Sequence, residues 1–227
     1  MKSKSKSDIF ELALLFITAV LIAITGIIFQ QSFLRILPLF ISLFVMLLAA
    51  RVNRYTYLLG GVNALLYALV YWHYGLYASF AYAVLVSSPI QILTFIRWNK
   101  KPWGNATVLK RLSNRLRFCI GVVFMISWVL IMGVLNLLDS NYQLLDSSLT
   151  LVGILVSILS MLCYMEYAYV NLLTGLLSII LYSLMLKESP EQITYLIFNI
   201  YCTICLIISV IKIHKIYRIQ QAVKSYE

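Results

Sequence analysis

Five residues in the second half of the chain, Asn171, Thr174, Gly175, Ser178 and Tyr182, follow one another at i, i+3, i+4, i+7 and i+11. On an α-helix this spacing places them on one face. An amide, two hydroxyls and a phenol can donate and accept hydrogen bonds, and the phenol ring can also stack on a flat molecule. The stripe therefore predicts either a polar contact between helices or one wall of a cavity for a small polar ligand.

A similar stripe lies 115 residues earlier, where Thr56, Gly60, Asn63 and Tyr67 are spaced at i, i+4, i+7 and i+11. The same offset aligns further residues without a gap. These pairs are Ser42 and Ser157, Met46 and Met161, Leu47 and Leu162, Leu58 and Leu173, Leu66 and Leu181, and Leu69 and Leu184. A fixed offset that recurs along the chain indicates an internal repeat.

Two neighbouring segments also carry a polar face. Their polar residues are Ser87, Ser88, Gln91 and Thr94 in the first, and Asn199, Cys202, Thr203 and Ser209 in the second. A primary amide left unpaired in an apolar medium costs several kcal/mol, so Asn63, Gln91, Asn171 and Asn199 predict either mutual pairing or a hydrated cavity, and we favour the cavity. The small residues of the stripes suit close helix packing. These are Ser42, Gly60, Ser157 and Gly175.

The chain that carries these faces is too apolar to be water-soluble. Of its 227 residues, 62% are hydrophobic and 11% are charged, and the mean hydropathy is +0.92. About 20 apolar residues cross a bilayer as a helix, and we find eight such runs, which predict an all-α membrane protein. The predicted spans are 9–29, 34–50, 56–73, 76–98, 118–138, 148–165, 167–186 and 192–213.

The repeat pairs the second, third and fourth spans with the sixth, seventh and eighth. Since a three-helix unit ends on the opposite membrane face and one connecting helix brings the chain back, both units run in the same direction. This predicts an extra N-terminal helix followed by a 3+1+3 parallel repeat, with a substrate between the halves. The predicted segments are 1–33 with the extra helix, 34–98 and 148–213 as the repeats, 99–147 with a basic loop and the connecting helix, and 214–227 as the tail.

Basic residues orient the predicted bundle. With the N-terminus inside, 16 of the 18 Lys and Arg residues fall in cytoplasmic segments and only Arg35 and Lys187 fall in the outer loops, so both termini are predicted to be cytoplasmic. The net charge of +10 and the basic segment 97–117 also resemble a nucleic-acid footprint. We interpret that segment instead as an inner loop beside anionic lipid headgroups and predict no nucleic-acid partner.

Several kinds of chemistry are disfavoured. No charged residue is predicted near the bilayer centre, where ion-coupled carriers usually keep one, so a facilitator for a neutral or weakly charged cargo fits best. Cys202 and Cys205 form a CxxC, but a zinc site needs about four ligands, and His73 and His214 are predicted at opposite membrane faces. We predict no metal and no cofactor. Without a nucleophile–base pair or clustered carboxylates, we predict no enzyme activity.

Pro89 is predicted to interrupt the fourth span between Ser88 and Gln91. Proline removes a backbone hydrogen bond and bends a helix, which is tolerated at the wall of a cavity. Pro89 is therefore the predicted hinge for alternating access. The predicted substrate-binding residues are Asn63, Tyr67, Gln91, Asn171, Ser178, Tyr182 and Asn199.

Three segments resemble the PnuC-type transporters, which take up nicotinamide riboside and are distant relatives of the SWEET sugar transporters. These are YLLGGVNALLYALVYWHYGLYAS at 57–79, SSPIQILTFIRWNKK at 87–101 and MEYAYVNLLTGLLSIILY at 165–182. The resemblance covers about residues 34–215. It implies facilitated uptake across a bacterial inner membrane, a homotrimer, and a cytosolic kinase that traps the product.

The resemblance has a departure in the seventh predicted span. The family's nicotinamide site there typically has two tryptophans three apart and an asparagine four later, where this chain has Ala168, Asn171 and Gly175. The matching positions are Asn63, Gln91, Trp98 and Ser178. The resemblance thus implies transport of nicotinamide riboside or a close relative, with thiamine, riboflavin or deoxynucleosides as alternatives. A non-transporting sensor or scaffold is the alternative of another class.

Overall fold

The computed structural model describes residues 6–73, 80, 83–137 and 143–224, and most of them are helical. In this part of the chain the apolar runs form eight α-helices, which are α1 (Lys6–Ile28), α2 (Phe33–Ala50), α3 (Tyr55–His73), α4 (Ser88–Lys100), α5 (Asn114–Leu137), α6 (Gln143–Met161), α7 (Tyr167–Met185) and α8 (Ile193–Lys224). A π-helical turn, Ala83–Ser87, precedes α4, and a 3-10 turn, Pro190–Gln192, precedes α8. Strands β1 (Pro102–Trp103) and β2 (Ala106–Thr107) form a short antiparallel hairpin.

Five of the described segments are long and apolar enough to cross a membrane. They are Asp8–Ile28, Phe33–Ala50, Asn114–Gly133, Tyr167–Met185 and Pro190–Lys224. Two shorter apolar helices, Tyr55–Val70 and Ser147–Met161, accompany them. The predicted span 76–98 is not one α-helix over residues 83–98, where a π-helical turn is followed by α4. Residues 76–79, 81 and 82 of this span lie outside the described part of the chain. The last helix continues past the predicted boundary at 213 to Lys224.

The helix boundaries follow from local capping and backbone geometry. The Ser32 hydroxyl caps α2 by accepting from the Arg35 backbone N–H at 3.4 Å. After α2, Val52 adopts a left-handed conformation with φ of 52°, which turns the chain toward α3. Short connections of this kind make consecutive helices antiparallel. The ends of α1 and α7 and the starts of α2 and α8 therefore share one end of the bundle, called here the Arg35 end, and the opposite end is called the Trp98 end.

The helices pack as two groups of three. In one group α3 packs against α2 and α4, and in the other α7 packs against α6 and α8. The groups meet where α4 packs on α6 and where α8 packs on α2. Helix α1 packs on α2 and α8, whereas α5 packs mainly on α6. Many large apolar side chains face outward, as on a surface covered by lipid.

The chain between α4 and α5 covers the Trp98 end. Within residues 101–113, the Lys110 backbone N–H donates to the Cys163 carbonyl at 2.8 Å. The Gln220 side chain, on the extension of α8, donates to the Thr107 carbonyl at 3.0 Å. Because both bonds reach elements of the second group, the segment fastens the two groups of helices together at this end.

Helix α1 is held to the bundle by an ion-pair cluster at the Trp98 end. The Glu11 carboxylate is 1% exposed and receives Arg51 Nε at 2.9 Å and Lys212 Nζ at 2.5 Å. Asp8 lies farther from the same arginine, at 4.0 Å, and its side chain is 43% exposed. One buried carboxylate therefore joins α1, the end of α2 and α8.

We expect Glu11→Gln to destabilise the protein by about 3 kcal/mol, because it leaves two cations around a neutral buried group. Asp8→Asn is the matched control, and its exposed pair should be worth less than about 1 kcal/mol. Thermal unfolding of the purified variants in detergent measures both. Equal melting temperatures for the two variants would show that the Glu11 cluster does not hold α1.

Candidate functional site

The larger central cavity opens at the Arg35 end and has a volume of about 660 Å³. Its described lining residues come from α2, α3, α7, α8 and the turn before α8, and they are Arg35, Leu39, Tyr67, Val70, Ser178, Tyr182, Met185, Gln192, Tyr195, Phe198 and Asn199. Four of the seven predicted substrate-binding residues are among them, namely Tyr67, Ser178, Tyr182 and Asn199. We call this space the Arg35 cavity.

Two aromatic rings form one wall of the Arg35 cavity. Tyr182 from α7 and Tyr195 from α8 stack with their ring centroids 5.6 Å apart and their planes inclined by 11°. Arg35 Nε donates to the Tyr195 hydroxyl at 2.8 Å, and the guanidinium carbon lies 5.2 Å from the centre of that ring. Arg35 therefore holds Tyr195 in place from both its edge and its face.

Arg35 is the only charged residue among the described residues that line this cavity. A cation in a partly desolvated pocket attracts anionic or electron-rich groups and repels other cations. Asn199 donates one amide hydrogen to the Tyr195 carbonyl at 2.8 Å. The second hydrogen and the amide oxygen keep the capacity to bind hydroxyls or ring substituents.

Three polar or charged residues of this site, Arg35, Gln192 and Tyr195, were not predicted from the sequence. Tyr195 could have been found, because it lies four residues before Asn199 and extends the polar face of the last predicted span by one turn. Arg35 was attributed to a loop by its charge, but it lies in the first turn of α2. Gln192 belongs to the 3-10 turn before α8, which helical periodicity does not anticipate.

Asn63 lies in the contact between α3 and α2, and it is not among the residues that line the Arg35 cavity. Its amide donates to the Ser42 hydroxyl at 2.7 Å, and Ser42 donates onward to the Pro38 carbonyl at 2.8 Å. The Asn63 side chain is buried, and its amide oxygen has no hydrogen-bond partner within the described part of the chain. Within the described part of the chain, Asn63 thus pairs with a hydroxyl of the neighbouring helix.

Gln91 lies in the contact between α4 and α3. Its amide nitrogen is 3.5 Å from the Ser87 hydroxyl, and its amide oxygen occupies the space that a side chain at Gly60 would need. Gly175 plays the same part in the second group, since a Cβ there would lie 2.8 Å from Thr203 Oγ1. The prediction that Gly60 and Gly175 serve close helix packing is confirmed.

We expect Gly175→Ala to destabilise the protein by about 1 to 3 kcal/mol, because the added methyl group overpacks the contact between α7 and α8. Gly153→Ala in α6 is the control, since a Cβ there meets no heavy atom within 4 Å. Thermal unfolding in detergent should show a lower midpoint for the first variant and an unchanged or higher one for the second. A Gly175→Ala variant as stable as wild type would contradict the packing role.

Asn171 lines a much smaller cavity, of about 60 Å³, at the Trp98 end. Trp98 is 1% exposed and donates from its indole nitrogen to the Ser160 carbonyl at 2.9 Å. Its ring meets Tyr57 at 4.8 Å and Tyr167 at 5.9 Å, both edge to face. These three rings line the small cavity, here called the Trp98 cavity.

The polar stripe of α7 therefore runs from one cavity to the other. Asn171 lies at the Trp98 cavity, whereas Ser178 and Tyr182 lie at the Arg35 cavity. From residue 171 to residue 182 a helix rises about 16 Å. One polar helix face thus links a large cavity with a much smaller one.

Pro89 is the second residue of α4, and α4 directly follows the π-helical turn Ala83–Ser87. Proline is accommodated at this position, because the first N–H groups of a helix have no partner within it. π-helical turns often mark functional positions inside helices. The predicted kink at Pro89 therefore lies beside the junction between the π-helical turn and the α-helix α4.

No metal site is found among the described residues, where no three His, Cys, Asp or Glu side chains come together. Cys202 and Cys205 are buried in the apolar core formed by α1, α2 and α8. In that core they act as small apolar side chains.

The chain is similar in sequence to a known protein family and in fold to a solved structure. The model of the family described as nicotinamide mononucleotide transporter matches residues 32–214. The crystal structure of the vitamin B3 transporter PnuC superposes with a TM-score of 0.75 at 19% identity, covering 97% of this chain and 95% of that one. No curated protein sequence matches the chain.

Proposed function

The chain belongs to the nicotinamide mononucleotide transporter family, and from this premise we propose that it facilitates uptake of a ribosyl vitamin or nucleoside, nicotinamide riboside or a close relative. It is a multi-pass membrane protein with a PnuC-like fold. The observation that carries the proposal is the Arg35 cavity, where the stacked Tyr182 and Tyr195 lie beside Asn199 and Ser178. Rings of this kind stack on a flat base, and the amide and hydroxyl bind a sugar.

The size and lining of the cavity suit such a molecule. Pockets for small molecules usually measure about 300 to 1,000 Å³ and combine apolar walls with a few polar groups, and the Arg35 cavity has about 660 Å³. Met185, Leu39 and Phe198 supply apolar surface around the polar residues. Of the remaining predicted site residues, Asn171 would then act deeper along the path, at the Trp98 cavity, whereas Asn63 and Gln91 lie in contacts between helices.

The charge of Arg35 ranks the candidate substrates. Nicotinamide riboside and thiamine carry a positive ring, whereas riboflavin and deoxynucleosides do not. A guanidinium at the mouth of the cavity favours neutral rings, or molecules whose phosphate can pair with it. Among the relatives of nicotinamide riboside, we therefore propose a neutral or phosphate-bearing compound as the preferred ligand.

Alternating access would follow from the difference between the two ends. The cavity at the Arg35 end has about 660 Å³, whereas the cavity at the Trp98 end has about 60 Å³ and is lined in part by Trp98. The contacts of α4 with α6 and of α8 with α2 are those expected of a 3+1+3 parallel repeat in eight spans. During transport the Trp98 end would open as the Arg35 end closes. No ion coupling is proposed, since the Arg35 cavity lacks a carboxylate among its described residues.

Orientation and partners complete the proposal. The basic residues at the Trp98 end support a cytoplasmic location for both termini, with the Arg35 end facing outward, and the resemblance to PnuC-type transporters supports a bacterial inner membrane. The resemblance to PnuC-type transporters supports a homotrimer and a cytosolic kinase that retains the product. Mass measurement of the protein in detergent tests the trimer.

Uptake into proteoliposomes tests transport itself. We expect protein-dependent uptake of at least one radiolabelled compound among nicotinamide riboside, thiamine, riboflavin and deoxyadenosine, and the rate should be unchanged by a protonophore. Binding of one of these compounds without uptake would instead identify a sensor or scaffold.

We expect Pro89→Ala to slow this uptake by about threefold or more while the ligand affinity changes by less than about twofold, because a hinge governs conformational change and not the bound contacts. Pro102→Ala, in the surface hairpin β1–β2, is the control and should match wild type. If Pro89→Ala takes up ligand at the wild-type rate, Pro89 is not the hinge.

A further inference from the structure

A third cavity, of about 400 Å³, lies at the Trp98 end between the starts of α5 and α7 and the extension of α8. We call it the Arg111 cavity. Its polar lining consists of Arg111, Arg117, Glu166, Tyr169, His214 and Tyr217. It shares no lining residue with the Arg35 cavity or the Trp98 cavity, so it lies outside the proposed path of the transported ligand.

The polar groups of the Arg111 cavity are held in place by contacts between different helices. Glu166 Oε1 accepts from Arg117 Nη2 at 2.7 Å and from the Leu112 backbone N–H at 3.1 Å. The Tyr169 hydroxyl lies 3.2 Å from His214 Nδ1 and links α7 to α8. The bond to Glu166 uses one of the five N–H donors of Arg117, so the guanidinium retains donors for a ligand.

The charges of the cavity match a singly charged anion. Two guanidinium groups face one carboxylate, so these three side chains carry a net charge of +1. Arg111 forms none of the ion pairs found in the described part of the chain. A planar guanidinium binds a phosphate oxygen pair through two parallel hydrogen bonds, and the hydroxyls of Tyr169 and Tyr217 add neutral donors.

The position of the cavity favours an amphipathic ligand. Its apolar lining comes from Met165 and Val170, at the start of α7, next to the start of the membrane-crossing part of α5. Basic pockets between helices at this level bind phosphate headgroups of lipids. We infer that the Arg111 cavity binds a singly charged phosphate group, with Arg111 as its main ligand and an anionic phospholipid as the favoured source.

Native mass spectrometry of the full-length protein tests this inference with phosphatidylglycerol and phosphatidylcholine as probes. We expect wild type to retain phosphatidylglycerol preferentially. Arg111→Gln should weaken that retention by about fivefold or more. Arg115→Gln is the matched control, because Arg115 is an equally charged neighbour outside the cavity lining, and it should change retention by less than about twofold.

A second arm distinguishes the sources of phosphate. Thermal unfolding with millimolar inorganic phosphate should leave the midpoint unchanged if the ligand is a lipid. Stabilisation by inorganic phosphate that Arg111→Gln abolishes would assign the same site to a soluble phosphate compound. Equal losses of phosphatidylglycerol in Arg111→Gln and Arg115→Gln would overturn the inference, since diffuse surface charge would then explain the retention. No response to either probe would overturn it as well. Ligand-free melting temperatures verify that both variants are folded.

Discussion

Tyr195→Ala is expected to weaken ligand binding by about 10- to 100-fold, because stacking of a base on an aromatic ring contributes about 1 to 3 kcal/mol. The variant removes the ring that stacks on Tyr182 at 5.6 Å and also the hydroxyl that positions Arg35. Calorimetric titration measures the effect with whichever compound among nicotinamide riboside, thiamine, riboflavin and deoxyadenosine most stabilises wild type against heat.

Two controls make this result specific. Tyr195→Phe keeps the ring and loses only the bond from Arg35, so its affinity should fall by less than about fivefold. Tyr55→Ala removes a half-exposed tyrosine at the Trp98 end and should leave the affinity unchanged. Wild-type affinity in Tyr195→Ala would exclude the stacked pair from the binding site.

Arg35→Gln is expected to remove a preference for neutral over cationic ligands. Nicotinamide riboside and its reduced dihydro form provide a matched test, because they share the ribose and the carboxamide and differ in the charge of the ring. At an effective dielectric constant of about 40, two unit charges about 6 Å apart repel by about 1.4 kcal/mol, which is about tenfold in affinity. Wild type should therefore bind the reduced form about tenfold more tightly, and Arg35→Gln should bind both alike.

Arg35→Lys separates charge from geometry. It keeps the positive charge and loses the planar fork, so the preference for the neutral ring should persist. If wild type binds the cationic form as well as the reduced form, Arg35 does not select the charge of the ligand. The proposed ranking of substrates would then be withdrawn, while the transport function would stand.

Helical periodicity was sufficient to find much of the candidate site. Tyr67, Ser178, Tyr182 and Asn199 were predicted because polar residues at helical spacing share a face, and the structure brings all four to one cavity. The family resemblance is confirmed over residues 32–214. These features depend on local spacing and on recurring motifs, which a sequence displays directly.

The sequence could not show how deep in the bundle each polar residue lies or which side chain it contacts. Asn171 and Ser178 share one stripe, yet they lie two turns apart and line different cavities. Asn63 pairs with Ser42 because the packing of α3 on α2 brings these two residues to the same level of the bundle. The relative level of two helices depends on tertiary contacts, which helical spacing does not show. Arg35 joined the site because α2 begins two residues before it. Charge counting assigns such a residue to a loop and cannot show which way its side chain reaches.

A structure of the protein with its transported compound bound is the most direct test of the claim that the Arg35 cavity is the substrate site. We predict density for the ligand's ring against Tyr182 and Tyr195, and density for its polar substituents within hydrogen-bonding distance of Asn199 or Ser178. Ligand density at another place in the bundle, with the Arg35 cavity unchanged, would contradict the account.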